Sequence, residues 1–405
     1  MPAPRFLALL LVCVACLGPT SGWLCAQTVP DRPGAVRPVS PTKPRIAPLP
    51  ETEWTDVHRK LVTRFSPDGR AGNDLKTLLH VPDMVDALMP FNVYVSSQSS
   101  LSPRHRELLI LRTAWLCGNQ YVWSSRAALA KDVGLTAGEI RRIAQGADVR
   151  GWDPFEATLL RMADQLYRNS AVTGATWTAL AATYDMYHLM DAVMTVADFI
   201  TLSLMYNSMG VQPDEGIVER LPADIPYRVV VPEREPPLTT ARVEPLEGTG
   251  IAIGRTFARY PKVAEPRSRN SNYVNRGSKL LPRYREMLIL RTGWNCRSEY
   301  EWAQHVGSVG RARDYGLDPR RIAEGPDAPG WDPFEAALLR AADELYRDAS
   351  VSERTWNALA ARFDTTMMMN VIVTASNYRM VSMALNALGV QLEPGDERFP
   401  TLTPR

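Results

Sequence analysis

The sequence predicts an all-α protein made of two homologous helical domains packed as a pseudo-two-fold pair. Three observations carry that expectation. Apolar residues recur at i, i+3, i+4 and i+7 through stretches such as "RELLILRTAWL" (Arg106–Leu116) and "PFEATLLRMADQLYR" (Pro154–Arg168), the spacing that lays one apolar stripe along a helix. Whole segments of the chain return later at a fixed distance. And the run Val229–Val231, which could form a short strand, has proline on both sides, which favours a linker over a strand.

At 405 residues, with 45% hydrophobic and 22% charged residues, the chain has the composition of a globular protein. Its length suits about two or three domains at roughly 100–200 residues each. The formal charge of +2 supplies no electrostatic argument for nucleic acid or an anionic membrane surface.

The N-terminus is of another character. One Arg in "MPAPR", the apolar run "FLALLLVCVACLG" and the exit "TSGWLCAQ" read as a secretory signal peptide over residues 1–26. The run is too short to span a bilayer comfortably, and no later stretch is read as a spanning helix. The expectation is export, periplasmic or secreted, with no membrane-spanning segment in the mature chain; a lipid anchor at Cys16 or Cys25 is the weaker alternative. Residues 27–50, rich in Pro and basic side chains, read as a flexible lead-in.

From there one unit is written twice. "LSPRHRELLILRTAWLC" (Leu101–Cys117) returns as "LLPRYREMLILRTGWNC" (Leu280–Cys296). "GWDPFEATLLRMADQLYR" (Gly151–Arg168) returns as "GWDPFEAALLRAADELYR", and "NSMGVQ" (Asn207–Gln212) as "NALGVQ". Each pair is separated by 179 residues, so no net insertion lies between these landmarks. Over the 35 positions from Gly151 to Asp185, 23 are identical to their counterparts from Gly330 to Asp364. The boundaries expected are 51–216 for the first repeat, 217–248 for a Pro-rich linker and 249–397 for the second repeat. Each repeat should hold six or seven helices. Ser102-Pro103 and Asp153-Pro154 mark helix starts, Thr136 and Glu139 form a capping-box pattern, and Gly146 and Gly325 mark helix ends. Gly134 and Gly316 are separated by 182 residues instead of 179, so the second repeat gains three residues before its "GL" and loses them after.

The candidate chemistry lies where the copies differ. Glu107 and Glu286 each sit in an almost wholly apolar helix, so a partner such as Arg112 or Arg291, or a shifted proton affinity, is required. In "RSEYEWAQH" (Arg297–His305), Ser298, Glu301 and His305 fall at i, i+3 and i+7, one face of one helix. Glu301 and His305 are i, i+4 neighbours able to pair directly. The first repeat has "GNQYVWSSR" here, with Asn119, Val122 and Arg126 at the matching positions.

The run R-E-x-L-I-L-R-T-x-W, a polar turn, then Y-x-W-x-x-H and G-L resembles the carboxymuconolactone decarboxylase superfamily, which includes alkyl hydroperoxidase D. The resemblance extends over both repeats, Leu78–Val211 and Phe257–Val390. It implies an all-helical fold and oligomers with pockets near subunit interfaces. In the hydroperoxidase branch a Glu precedes, by nineteen residues, the His that ends C-x-x-C-x-x-x-H. Glu286 and His305 have that separation, but the two cysteine positions are Ser298 and Glu301. Cys117 and Cys296 lie two residues before the first of them. Dithiol peroxidase chemistry needs an attacking thiolate and a resolving thiol, and neither Ser nor Glu supplies one.

The resulting expectation is cofactor-free acid/base chemistry, decarboxylation or isomerisation, on a small carboxylate or lactone. His305 would be the general acid/base, Glu301 its orienting partner, Glu286 a second buried proton carrier and Ser298 a further site residue. Trp302 would wall the pocket and Arg126 would hold the substrate anion from across the pseudo-two-fold axis. No metal ligand pattern is expected, although two carboxylates and an imidazole could hold a hard metal. The rival readings are an antioxidant oxidoreductase using Cys117 or Cys296, and a non-catalytic module that keeps only the fold.

Overall fold

The computed structural model describes residues 41–66 and 68–402. The expected signal peptide and the lead-in up to residue 40 lie outside the described residues. Those described contain seventeen α-helices and no β-strand. The first nine are α1 (Asp56–Phe65), α2 (Asn73–Leu78), α3 (Pro82–Val93), α4 (Pro103–Leu116), α5 (Gln120–Asp132), α6 (Ala137–Gln145), α7 (Pro154–Asn169), α8 (Gly174–Ala181) and α9 (Met186–Met209). The rest are α10 (Ala252–Phe257), α11 (Pro261–Asn272), α12 (Pro282–Asn295), α13 (Glu299–Val306), α14 (Pro319–Glu324), α15 (Pro333–Asp348), α16 (Glu353–Ala360) and α17 (Thr365–Leu388). Seven helices, α3–α9 and α11–α17, fill each of the two repeating stretches; α1, α2 and α10 precede them.

Local chemistry sets the helix ends. Ser102 accepts from the His105 amide ahead of Pro103, Thr136 and Glu139 form the reciprocal capping box, and Asp153 and Asp332 cap α7 and α15. Each satisfies an amide that the first turn leaves unpaired. The halves part company after α4 and α12. Helix α5 runs thirteen residues, while α13 stops after eight at Gly307. The chain then crosses Gly307–Gly310 to a short 3₁₀ turn, Ala312–Tyr315. The second half's extra residues therefore sit directly beyond His305.

At the centre, α9 and α17 form the most extensive helix–helix contact of the molecule. Helix α9 is long and apolar enough to cross a membrane by length and composition, with mean hydropathy 1.4, and its whole apolar window is buried. The sequence reading passed over it. Burial on every side makes such a helix apolar all round.

Hydrogen bonds lock the halves in matched pairs. Asn207 Nδ2 donates to the carbonyls of Cys117 and Ala349 at 2.8 and 3.2 Å. Its counterpart Asn386 donates to those of Cys296 and Ser170 at 3.0 and 2.9 Å. Arg45 bridges the carbonyls of Ser208 and Val351 and lies over Trp356; Arg242 bridges those of Ala387 and Val172 and lies over Trp177. Every acceptor in one set is 179 positions from its mate in the other. The two chain segments carrying these arginines pass close over Gly210 (φ 75°) and Gly389 (φ 69°), where an added Cβ would strike backbone oxygen. This corrects two expectations. The end of the lead-in, from residue 41, is packed, with Ile46 and Leu49 buried. The linker is a strap: Leu221, Ile225 and Val243 are buried, and Arg234 donates to carbonyls of both halves, Asn169 and Cys296.

Candidate functional site

Helix α12 presents Glu286 to α13, which carries Glu301 and His305 one turn apart. His305 Nδ1 lies 2.7 Å from Glu286 Oε2, and its Nε2 lies 2.9 Å from Glu301 Oε1. The side chains are 4%, 1% and 6% exposed respectively. One imidazole thus spans two buried carboxylates.

Burial opposes the charged ring, but the Glu286 charge and the hydrogen bonds that both carboxylates accept outweigh it, and the His305 pKa is pushed up to about 10. The ring also occupies the last turn of α13, where the helix dipole favours a cation. Near neutral pH it is an imidazolium donating both N–H groups. Since Glu286 and Glu301 approach opposite edges of the ring, the three groups address its protons instead of one common point. Among the described residues no group of three His, Cys, Asp or Glu side chains is arranged to hold a metal ion.

Several residues missed by the sequence reading complete the surroundings. Arg285 Nε meets Glu286 Oε1 at 3.2 Å, and its Nη1 donates to the Asn275 carbonyl at 2.9 Å. Tyr378, from α17, stands edge-on to the His305 ring at 5.0 Å and donates its hydroxyl to Asn275 Oδ1 at 2.9 Å. Burial and the neighbouring carboxylates hold that phenol far above its usual pKa. A Cβ on Gly310 would fall 2.5 Å from the His305 carbonyl oxygen, and closer still to Glu286 Oε2. The loop after α13 is therefore pressed onto the pair. The 179-residue alignment carried a signal for Tyr378, since its counterpart is Phe199, but no rule of helix spacing brings α17 to α13.

Other predicted residues fall elsewhere. Ser298 occupies the N-cap of α13 without capping it, and its buried hydroxyl has no partner among the described residues. Trp302 packs against Trp294 and Phe399, at 5.5 and 5.4 Å between ring centres, in a core cluster with Met287 and Val306. It is a core residue of this cluster. The partners suggested for the two buried glutamates also differ. Arg112 and Arg291 bind Asp164 and Asp343.

Arg126 takes the His305 position of the first half and does what His305 does there: it pairs with the buried glutamate, Glu107 (Nε–Oε2 3.0 Å). It lies over Phe199, the Tyr378 counterpart. Burial still raises the Glu107 pKa against the pull of Arg126. Arg126 belongs to its own half, where it lines a cavity of about 160 Å³ with Asp74, Asn92, Tyr121 and Tyr206, and so its guanidinium is committed away from an anchoring role at the second site. The remaining histidines are spread apart; His105, for one, meets the Tyr184 hydroxyl at 2.6 Å.

Cys117 and Cys296 are free, buried thiols. Burial pushes Cys117 up to about 12 and raises Cys296 as well. A cross-axis disulfide is thus not formed, and neither sulfur has the exposed, acidic character of a reactive thiol.

Residues 82–165 match the model of the Carboxymuconolactone decarboxylase family, a stretch that runs from α3 into α7. The search of curated proteins found no match for the chain.

Proposed function

We propose, for a chain carrying a carboxymuconolactone decarboxylase family unit, that the second half performs cofactor-free acid/base chemistry on a small carboxylate or lactone, by decarboxylation or isomerisation. The observation behind this reading is the imidazolium held between Glu286 and Glu301. Both ring nitrogens are engaged, so Glu301 is the group that faces the reactant: one oxygen meets His305, and the other has no partner among the described residues. In a decarboxylation the bond to the departing CO₂ breaks and its electron pair enters a conjugated carbonyl. A proton then passes from His305 Nε2 through the Glu301 carboxylate to the carbon, and solvent returns a proton to the ring. Glu286 holds the ring aligned throughout and favours its return to the imidazolium. An isomerisation uses the same parts, with Glu301 first removing a proton and then returning it.

The thiol-peroxidase alternative finds no support in two buried cysteines of raised pKa. A non-catalytic role is favoured by one observation, the near-complete enclosure of the trio. The test is a panel of lactone carboxylates incubated with the protein in D₂O and followed by NMR for CO₂ loss and carbon-bound deuterium. Turnover that His305→Ala and Glu301→Gln each abolish supports the reading. Turnover indifferent to both, or none across the panel, overturns it.

A further inference from the structure

We infer that Arg267 is the anion anchor of the His305 site and that it receives the carboxylate of a monoanionic substrate. The inference rests on the acid/base reading above and goes beyond it by assigning the residue that selects the substrate's charge.

Arg267 lies on a third helix, α11. Its Nε is sealed from solvent and has no hydrogen-bond partner. Its one polar contact is long, Nη1 to Ser271 Oγ at 3.4 Å, and its guanidinium lies 4.1 Å from the centre of the Phe257 ring. Among the described residues no carboxylate comes within ion-pair distance. Glu301 and Tyr378 are nonetheless its electrostatic neighbours, and burial lowers its pKa to about 10. Arg112 and Arg291, by contrast, each hold an aspartate through Nε and Nη2 and two carbonyls through Nη1, and Arg379, whose Nε is also unpartnered, donates to three carbonyls through its outer nitrogens. A guanidinium N–H sealed from water and left without an acceptor is costly, which calls for a ligand that supplies one.

Charge counting gives the ligand's sign. With both carboxylates ionised, Glu286 and Glu301 face three cations, His305, Arg285 and Arg267. One negative charge brings the group to neutrality, and a planar carboxylate matches the two-pronged donor edge of a guanidinium. The first half lacks this device. The residue 179 positions before Arg267 is Leu88, and the His305 position is filled by Arg126, already bound to Glu107. The second half is therefore the one equipped to hold an anion beside a proton carrier.

The experiment measures binding of γ-butyrolactone-γ-carboxylate and of its neutral methyl ester to the full chain by isothermal titration calorimetry. The wild type should bind the carboxylate and discriminate against the ester. Arg267→Gln should weaken carboxylate binding about ten- to a hundredfold, the worth of a hydrogen-bonded charge, and leave ester binding unchanged. Arg267→Lys should restore part of the affinity. Equal binding of acid and ester by the wild type overturns the inference without needing any variant to fold; so does a folded Arg267→Gln protein that retains full affinity. The two proposals fail separately. Arg267-dependent binding without turnover leaves the anchor standing and removes the acid/base reading, whereas His305-dependent turnover with unchanged KM in Arg267→Gln does the reverse.

Discussion

Glu286 and His305, nineteen residues apart on consecutive helices, are joined by a 2.7 Å hydrogen bond. Glu107 and Arg126 are joined at the equivalent place in the first half. The same fold position holds a buried carboxylate–cation pair twice. In one copy the cation is a permanent charge; in the other it carries a proton that can move.

That difference predicts a pH dependence confined to the second half. The folded His305 pKa, about 10, lies above its ordinary value near 6.5. The stability it contributes is then complete below about pH 6.5 and disappears as pH rises through about 10. Urea unfolding between pH 6 and pH 10 should show the wild type losing a few kcal/mol more than His305→Gln. NMR of ring-labelled histidine should place this titration far above those of the exposed residues. A His305 resonance titrating near 6.5 contradicts the geometry.

Glu286→Gln tests the inner carboxylate. It removes the charge that contributes most to holding the ring protonated while preserving shape. Breaking one side of a buried pair costs about 3–5 kcal/mol, so the melting temperature should drop, and the His305 titration should move down by NMR. Turnover should fall about 10²–10⁴-fold, the usual worth of a positioned acid or base. A variant with native stability and an unmoved titration shows that Glu286 does not govern the ring.

The two buried thiols should be inert. Alkylation of the folded chain with iodoacetamide, followed by peptide mass spectrometry, should leave the Cys117 and Cys296 peptides unmodified. Both should react fully after denaturation. Rapid labelling of either in the folded protein, or turnover lost in Cys117→Ala/Cys296→Ala, supports thiol chemistry instead.

Gly310 tests the seal over the pair. Gly310→Ala would force the added methyl onto Glu286 Oε2 and the His305 backbone. Overpacking of this kind costs about 1–3 kcal/mol, visible as a lowered melting temperature together with a displaced His305 titration. Gly254→Ala, where nothing lies within 4 Å of the new Cβ, is the matched control and should leave that titration in place.

Much of this molecule follows from local rules. The helical period, the Ser102, Asp153 and Thr136 caps, the 179-residue self-similarity and the i, i+4 placement of Glu301 against His305 act over a few residues or are visible by comparing the chain with itself. The sequence therefore determined the all-helical class and named the three ionisable groups that meet. Where a residue's role depended on helices distant in the chain, the same reasoning went astray. Trp302 became core because Phe399 arrives from the C-terminal end, and the linker became a strap because Arg234 found carbonyls in both halves. Arg126 was claimed by Glu107, and Arg267 was overlooked because nothing within its own helix sets it apart. Local spacing fixes which face of a helix a side chain leaves from. Only the packing of one helix on another decides whether a charge there finds water, a partner or neither.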